Sequence, residues 1–345
     1  MKETSNIEYK NIISLENLLE AWQGFLVGKK SKSDVLEFQK NLMRNIINLH
    51  HDLTNKLYQH GGYKAFNISD PKPRNIHKAS VRDRLLHHAV YRVLYPYFDP
   101  KFISDSFSCR LDKGTNKAIN RFRSFGQKVS KNHTKMCWVL KCDIKKFFAS
   151  IDQETLLNIL NKYIADKNIN WLLERVIKSF YSTKENIGLP LGNLTSQLLV
   201  NIYMNQFDQW VKHKIKVKHY VRYADDFVIL SQDKDYLLEL IPKIADFLDE
   251  ELKLILHPNK ITLKTFASGV DFLGWVHFPK HRVLRMSTKR RVLRALEESK
   301  NLNSLISYAG LLSHGNQYQL QTEFLRKIEE IEKRSSEASI NSLLN

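Results

Sequence analysis

Apolar residues set the first pattern. Leu15, Leu18, Leu19, Trp22, Phe25 and Leu26 fall three or four positions apart, which makes one stripe along a helix over residues 15–26. A second stripe, Val35, Phe38, Leu42, Ile46, Leu49 and Leu53, follows the break at Gly28-Lys29-Lys30-Ser31. Together they predict an N-terminal helical hairpin whose stripes are core. Gly61-Gly62 interrupts, and residues 63–74 mix β-formers with Pro71 and Pro73, which predicts an edge hairpin rather than a central strand. Helical spacing returns through Leu85, Ala89, Val93 and Tyr97, and Pro100 marks the end of that segment.

From residue 138 the periods alternate. Residues 138–144 are apolar and β-prone, 156–164 are helical, and 194–213 read as a long amphipathic helix. Two β-prone runs, 219–223 and 227–231, are separated only by Ala224-Asp225-Asp226, a hairpin with acids at its turn. A helix over 236–252 precedes two further β-prone stretches, so the central order is β-α-α-β-β-α-β-β and the fold class is α+β. From about 286 the chain carries Lys and Arg at helical spacing and ends in a Ser-rich tail.

Composition narrows the partners. A chain of 345 residues predicts two or three subdomains, and 54 Lys+Arg against 36 Asp+Glu give a net charge of +18, which points to nucleic acid. No apolar run is long enough to span a bilayer and the first residues are polar, so the expectation is no membrane and a reducing cytoplasm. The three cysteines and scattered histidines lack the spacing of a disulfide framework or a zinc site.

The chemistry rests on Asp143, at the end of an apolar strand, and on Asp225-Asp226 at the hairpin turn. A lone Asp in such a place usually caps backbone. Two adjacent acids in an apolar hairpin repel one another unless a cation compensates, and hard oxygen ligands suit the paired divalent ions of nucleotidyl transfer.

Four motifs in order then carry a resemblance. YADD (223–226), LKCDIKKFFASID (140–152), GLPLGNLTSQLLVNIYMNQFD (188–208) and FLGW (272–275) resemble the signatures of reverse transcriptases. The resemblance implies a right-hand polymerase. It places an N-terminal helical extension at 1–62, fingers at 63–135, a palm at 136–277 with finger elements around 153–190, a primer-grip hairpin at 270–284, a helical thumb at 285–335 and a tail at 336–345. It assigns two Mg2+ ions, with Mn2+ as a substitute, to Asp143, the Ile144 carbonyl and Asp225, with Asp226 in support. Lys260 becomes a general acid for pyrophosphate. Phe148 becomes the gate against a 2′-hydroxyl. Lys72, Arg74 and Arg84 become triphosphate contacts, and Leu191, Gly192 and Gln197 line the nucleotide. Phe272, Leu273, Gly274 and Trp275 form the primer grip. Lys289, Arg290, Arg291 and Arg294 are expected on the nucleic-acid backbone. Implied partners are dNTPs, template RNA and the cDNA or its primer.

Leu191-Gly192 and Ser196-Gln197 stand where retroviral enzymes carry Gln-Gly and Ser-Pro. With FSCRLDKGTNKAI and SYAGLLSHGNQYQL, they make the chain most similar to reverse transcriptases of diversity-generating retroelements. That subtype implies error-prone copying of a structured element RNA at template adenines, with a small basic pentameric accessory protein. Two alternatives are an antiphage defence or abortive-infection reverse transcriptase, which genome context would distinguish, and an RNA-binding maturase-like protein without polymerase activity.

Overall fold

The computed structural model describes residues 7–69, 73–298 and 301–344, with side chains up to residue 333 in the last helix. The chain divides into two compact units, the first of residues 1–114, 142–227 and 239–261, the second of 115–141, 228–238 and 262–345.

Four helices open the chain: α1 (Tyr9–Ile13), α2 (Leu15–Leu26), α3 (Ser33–Lys40) and α4 (Leu42–Thr54). The expected hairpin is therefore subdivided. Its second stripe breaks at Asn41, which leaves helical geometry (φ −119°, ψ 35°), as an amide that competes for local backbone bonds tends to do. The stripe still delivers Val35, Ile46, Leu49 and Leu53 to the core.

β1 (Tyr63–Ile68) and β2 (Arg74–Ala79) pair antiparallel, Tyr63 opposite Ala79 and Ile68 opposite Arg74, as a two-stranded sheet of their own. α5 (Val81–Phe98) starts at Ser80, whose hydroxyl accepts from the Asp83 amide at 3.1 Å, and stops at Phe98.

α6 (Thr115–Val129) has no counterpart among the sequence expectations. β3 (Trp138–Asp143) matches its expected run, followed by a short α7 (Phe147–Ser150), α8 (Gln153–Tyr163) and α9 (Lys167–Ile177). α10 (Leu194–Gln209) is buried nearly all round, with Leu198, Leu199, Ile202, Tyr203, Met204 and Phe207 in the core. It is a central helix rather than the amphipathic one expected. Its last turn, Trp210–Lys214, is π-helical.

β4 (Tyr220–Tyr223) and β5 (Asp226–Ser231) form the expected hairpin, followed by α11 (Lys234–Leu252) and β6 (Thr262–Thr265). The central sheet has the order β4-β5-β3-β6, with Trp138 opposite Thr265 in the antiparallel β3–β6 pair. This order makes β5, which begins at Asp226, the neighbour of β3, which ends at Asp143.

A three-stranded meander, β7 (Val270–Phe272), β8 (Trp275–His277) and β9 (Arg282–Leu284), belongs to the second unit, with α12 (Met286–Glu298), α13 (Leu302–Leu312) and α14 (Tyr318–Leu344). Phe122 of α6 packs there against Phe266, Phe272 and His277, at ring separations of 5.5, 5.2 and 5.1 Å. Among the described residues no helix is long and apolar enough to cross a membrane.

Candidate active site

β3 delivers Asp143 at its last position. The Asp143 carbonyl accepts from the His257 amide at 2.8 Å, Lys145 N–H donates to the Ile255 carbonyl at 2.9 Å, and Ile144 bridges to Leu256. These bonds hold residues 255–257 against the strand end. The 3-10 turn Pro258–Lys260 then returns Lys260, whose Nζ donates to Asp143 Oδ1 at 2.8 Å.

Asp225 occupies the β4–β5 turn. Burial first, and the Asp143 charge second, raise its carboxyl above the ordinary aspartate range, while Lys260 and Arg74 pull the other way. Two acids from distant parts of the chain thus share one field with two cations. Asp226 begins β5, and its charge acts on the Cys142 thiol, which burial first and that charge second push up to about 12. Among the described residues no group of three or more His, Cys, Asp or Glu side chains is gathered as a metal cage. Asp143 and Asp225 share one field, and Asp226, expected in support of them, begins β5 beside Cys142.

The turn itself is held by residues that the motifs did not single out. Ala224 sits in the left-handed region at φ 55°, which costs a residue with a Cβ about 1–2 kcal/mol. Its carbonyl accepts from Arg222 Nη1 at 3.0 Å. Arg222 is gripped by both oxygens of Asp208, at 2.8 and 2.7 Å, and donates to Ser106 Oγ at 3.0 Å. Tyr220 donates to Asp208 Oδ1 at 2.7 Å. Arg222 and Asp208 are both fully buried. A planar guanidinium satisfied on all edges is a rigid strut, and here it ends on the peptide that precedes Asp225. The signal was present: an Arg inside a β-prone run and an Asp inside an apolar helix each need a buried partner.

Phe148 follows a left-handed Lys146 (φ 48°) and lies in α7, so the strand does not continue through it. Phe147 is buried and Phe148 half-buried, which leaves Phe148 as the ring available to a ligand. The Phe148 carbonyl accepts from Leu189 N–H at 2.8 Å. Two residues on, the Leu191 carbonyl accepts from the His77 amide of β2 at 3.0 Å, and Asn193 Nδ2 donates to the His77 carbonyl at 2.8 Å. Gly192 has φ +103°, and a Cβ there would stand 2.8 Å from Ile76 Cγ2, so glycine is required by both conformation and space. Gln197 lies in the first turn of α10, half-buried.

The basic cluster divides. Arg74, exposed at the start of β2, acts on Asp225. Arg84 instead pairs with Asp34 of α3 and lies 5.0 Å from the Phe25 ring, and Arg82 pairs with Asp52 at 2.7 Å. Arg84, expected at the triphosphate, thus has an acid partner within the chain. Lys72 lies outside the described residues.

In the second unit, Phe272 and Trp275 are opposed and buried, leaving Leu273 (φ 51°) and Gly274 (φ 89°) as a two-residue turn of the kind that matches strand twist. Phe272 and Trp275 support that hairpin from below. Lys289, Arg290 and Arg294 are exposed on α12 and Arg291 is half-buried.

The α+β architecture with this site defines the class, a right-hand polymerase fold. An apo telomerase from Candida tropicalis aligns with a TM-score of 0.54 at 13% identity, over 82% of this chain and 59% of that one. The reverse transcriptase (RNA-dependent DNA polymerase) family matches residues 68–277, and the chain belongs to that family. Similar proteins include YkfC of Escherichia coli, 25% identical over 71% of this chain and 72% of that protein. The group II intron-encoded protein LtrA of Lactococcus lactis is 24% identical over 64% of this chain and 46% of LtrA, so the chain spans less than half of that relative.

Proposed function

We propose that the chain is an RNA-directed DNA polymerase that extends a primer on a structured RNA template. The observation that carries this reading is the Asp143–Asp225 pair, two acids pressed into one partly buried field at a strand end and an adjoining turn. Such a pair fits divalent cations better than any organic counterion, because hard oxygen donors with repelling charges gain most from a small dication. Asp143, Asp225 and the Ile144 carbonyl would hold Mg2+, or Mn2+ in its place. The ions supply a lowered pKa at the primer hydroxyl and neutralise the departing pyrophosphate.

The remaining work falls to the protein. Lys260, already directed at the pair, holds a proton at Nζ for the leaving pyrophosphate. Arg74 and Lys72 neutralise the triphosphate. Phe148 sits under the sugar, and the Leu189–Asn193 segment, fastened to β2, fixes the nucleotide's other side. Fingers, palm and thumb follow as residues 63–135, 136–277 and 285–335.

Within the family we assign the chain to diversity-generating copying. Leu191 offers no amide to the incoming nucleotide, so base selection there relies on shape, which discriminates less than a hydrogen bond. The expected result is misincorporation concentrated opposite template adenine, reduced in Leu191→Gln. Equal error at all four template bases would contradict it. A small basic accessory protein is the expected partner, and its absence from a purified reaction should lower yield on the element RNA. An RNA-binding, maturase-like role is the second reading, favoured by the likeness to an intron-encoded protein. Splicing help retained in Asp225→Ala with no DNA synthesis by the wild type would establish it.

A further inference from the structure

The segment from Lys212 to His219 reads Lys-His-Lys-Ile-Lys-Val-Lys-His: four lysines, two histidines and no acid in eight residues. Lys214, Lys216 and Lys218 are exposed and form no ion pair with a described residue. Asp208, the nearest preceding acid, is consumed by Arg222 and Tyr220. α11, against which Trp210 stacks at 4.5 Å through Phe247, carries Asp246, Asp249, Glu250 and Glu251, and none of them pairs with the four lysines of the segment. A concentration of like charge without internal compensation raises the free energy of the folded state, so the segment calls for an external anion.

The charges are held in place rather than on a loose loop. Ile215 N–H donates to the Trp210 carbonyl at 3.1 Å, Val217 N–H to the Val211 carbonyl at 2.9 Å, and Lys212 Nζ to the Lys218 carbonyl at 3.0 Å. Val211 and Val217 are buried, and Lys216 is set in the left-handed region at φ 55°. The π-helical turn at Trp210–Lys214 is itself an uncommon geometry that recurs where a helix serves a site.

This cation group does not serve the incoming nucleotide. The four residues of β4 separate it from the catalytic turn, a strand length of about 13 Å, and the cations that act on Asp225 are Lys260 and Arg74. Its apolar residues are turned inward, with Val211 and Val217 buried and Ile215 half-buried. An amphipathic membrane-surface segment inserts apolar side chains beside its lysines. Phosphates of a nucleic-acid backbone need none.

We propose that Lys212–His219 is a docking site for the phosphate backbone of a double-helical part of the template RNA, apart from the stretch being copied. The inference rests on the polymerase reading for the identity of the RNA, and its test reads binding rather than synthesis. Full-length protein is titrated against an RNA hairpin with a stem of about 16 base pairs, a length that spans two successive minor grooves, over a range of salt. Lys214→Gln/Lys216→Gln/Lys218→Gln should flatten the slope of log affinity against log salt by about 0.9 for each phosphate no longer neutralised. The corresponding triple Lys→Arg variant should restore it. Extension of a short primer on an unstructured RNA should be unchanged in both variants. A wild-type slope in the Gln variant overturns the site, as does a loss confined to vesicles of anionic phospholipid. Should the triple variant fail to fold, the three single variants read the same slope, each expected to flatten it by about 0.9. A wild type that binds the hairpin yet synthesises nothing would instead sink the polymerase reading.

Discussion

Two places in the first unit hold charge in opposite ways. At the shoulder where β2 meets α5, cations find their anions inside the chain: Arg84 and Lys78 share Asp34, and Arg82 takes Asp52. At the β4–β5 turn the Asp143 charge acts on Asp225, and the two cations that act against it are a half-exposed Lys260 and an exposed Arg74. At the shoulder the cations hold the Asp34 carboxyl below the ordinary aspartate range. At the turn burial and the Asp143 charge keep the Asp225 carboxyl above it despite two nearby cations, a setting that a bound dication would relieve. The type of residue is the same in both places, so function is told by which partner satisfies the charge.

The strongest way to break this comparison is to remove one acid of the turn. Asp143→Ala should lose several kcal/mol of transition-state stabilisation, a fall on the order of 10³-fold or more in nucleotide incorporation, with an unchanged circular dichroism spectrum. Next comes the strut behind the turn. Arg222→Met leaves Asp208 buried without its cation and should cost about 3–5 kcal/mol in denaturant unfolding. Asp208→Asn/Arg222→Met should cost less than the sum of the single variants, because no bare charge remains. An additive result would show that the pair does not act as a unit.

A smaller effect is expected at Gly192, where Ala must accept φ +103° and a 2.8 Å approach to Ile76. Forcing that approach should cost about 1–3 kcal/mol and raise KM for dNTP by loosening the bonds to β2. The smallest effects separate the two arginines. Arg74→Gln should raise KM for dNTP with little change in Tm. Arg84→Gln should lower Tm with KM unchanged, and the reverse pattern would restore Arg84 to the nucleotide.

The shoulder also carries a pH signature. Burial alone would raise the Asp34 carboxyl, but hydrogen bonds and charge from Lys78 and Arg84 hold it below the ordinary aspartate range. Its contribution is thus present above the unfolded aspartate pKa and fades as pH falls through the depressed folded value. The Tm difference between wild type and Arg84→Gln should therefore narrow in acid, and a difference constant with pH would remove Asp34 from the account.

The β4–β5 hairpin was readable in advance because two β-prone runs flank three residues, and the strand at 138 because its apolar run is short and bounded. α6 escaped because its buried face, Ala118, Ile119, Phe122 and Phe125, is diluted by basic residues. The break at Asn41 escaped because an apolar stripe can continue across two helices without losing its phase. In the site, Asp143 and Asp225 could be named from the motifs, and their mutual field could not. The fate of Arg84 depended on Asp34, fifty residues earlier, which no local pattern connects to it. Asp225 and Asp226 are adjacent letters in the motif, yet the first ends a turn and the second begins a strand beside Cys142, surroundings that no letter pattern describes.

The most direct test of the central claim is template dependence of synthesis by the full-length protein. Purified wild type is given Mg2+, labelled dNTPs and a DNA primer annealed to RNA, beside Asp225→Ala and a reaction with ribonucleotides. The account predicts extension that follows the RNA sequence, requires deoxynucleotides and vanishes in Asp225→Ala. Extension by Asp225→Ala equal to that of wild type, or none by wild type with Mg2+ or Mn2+ and its element RNA, would contradict it.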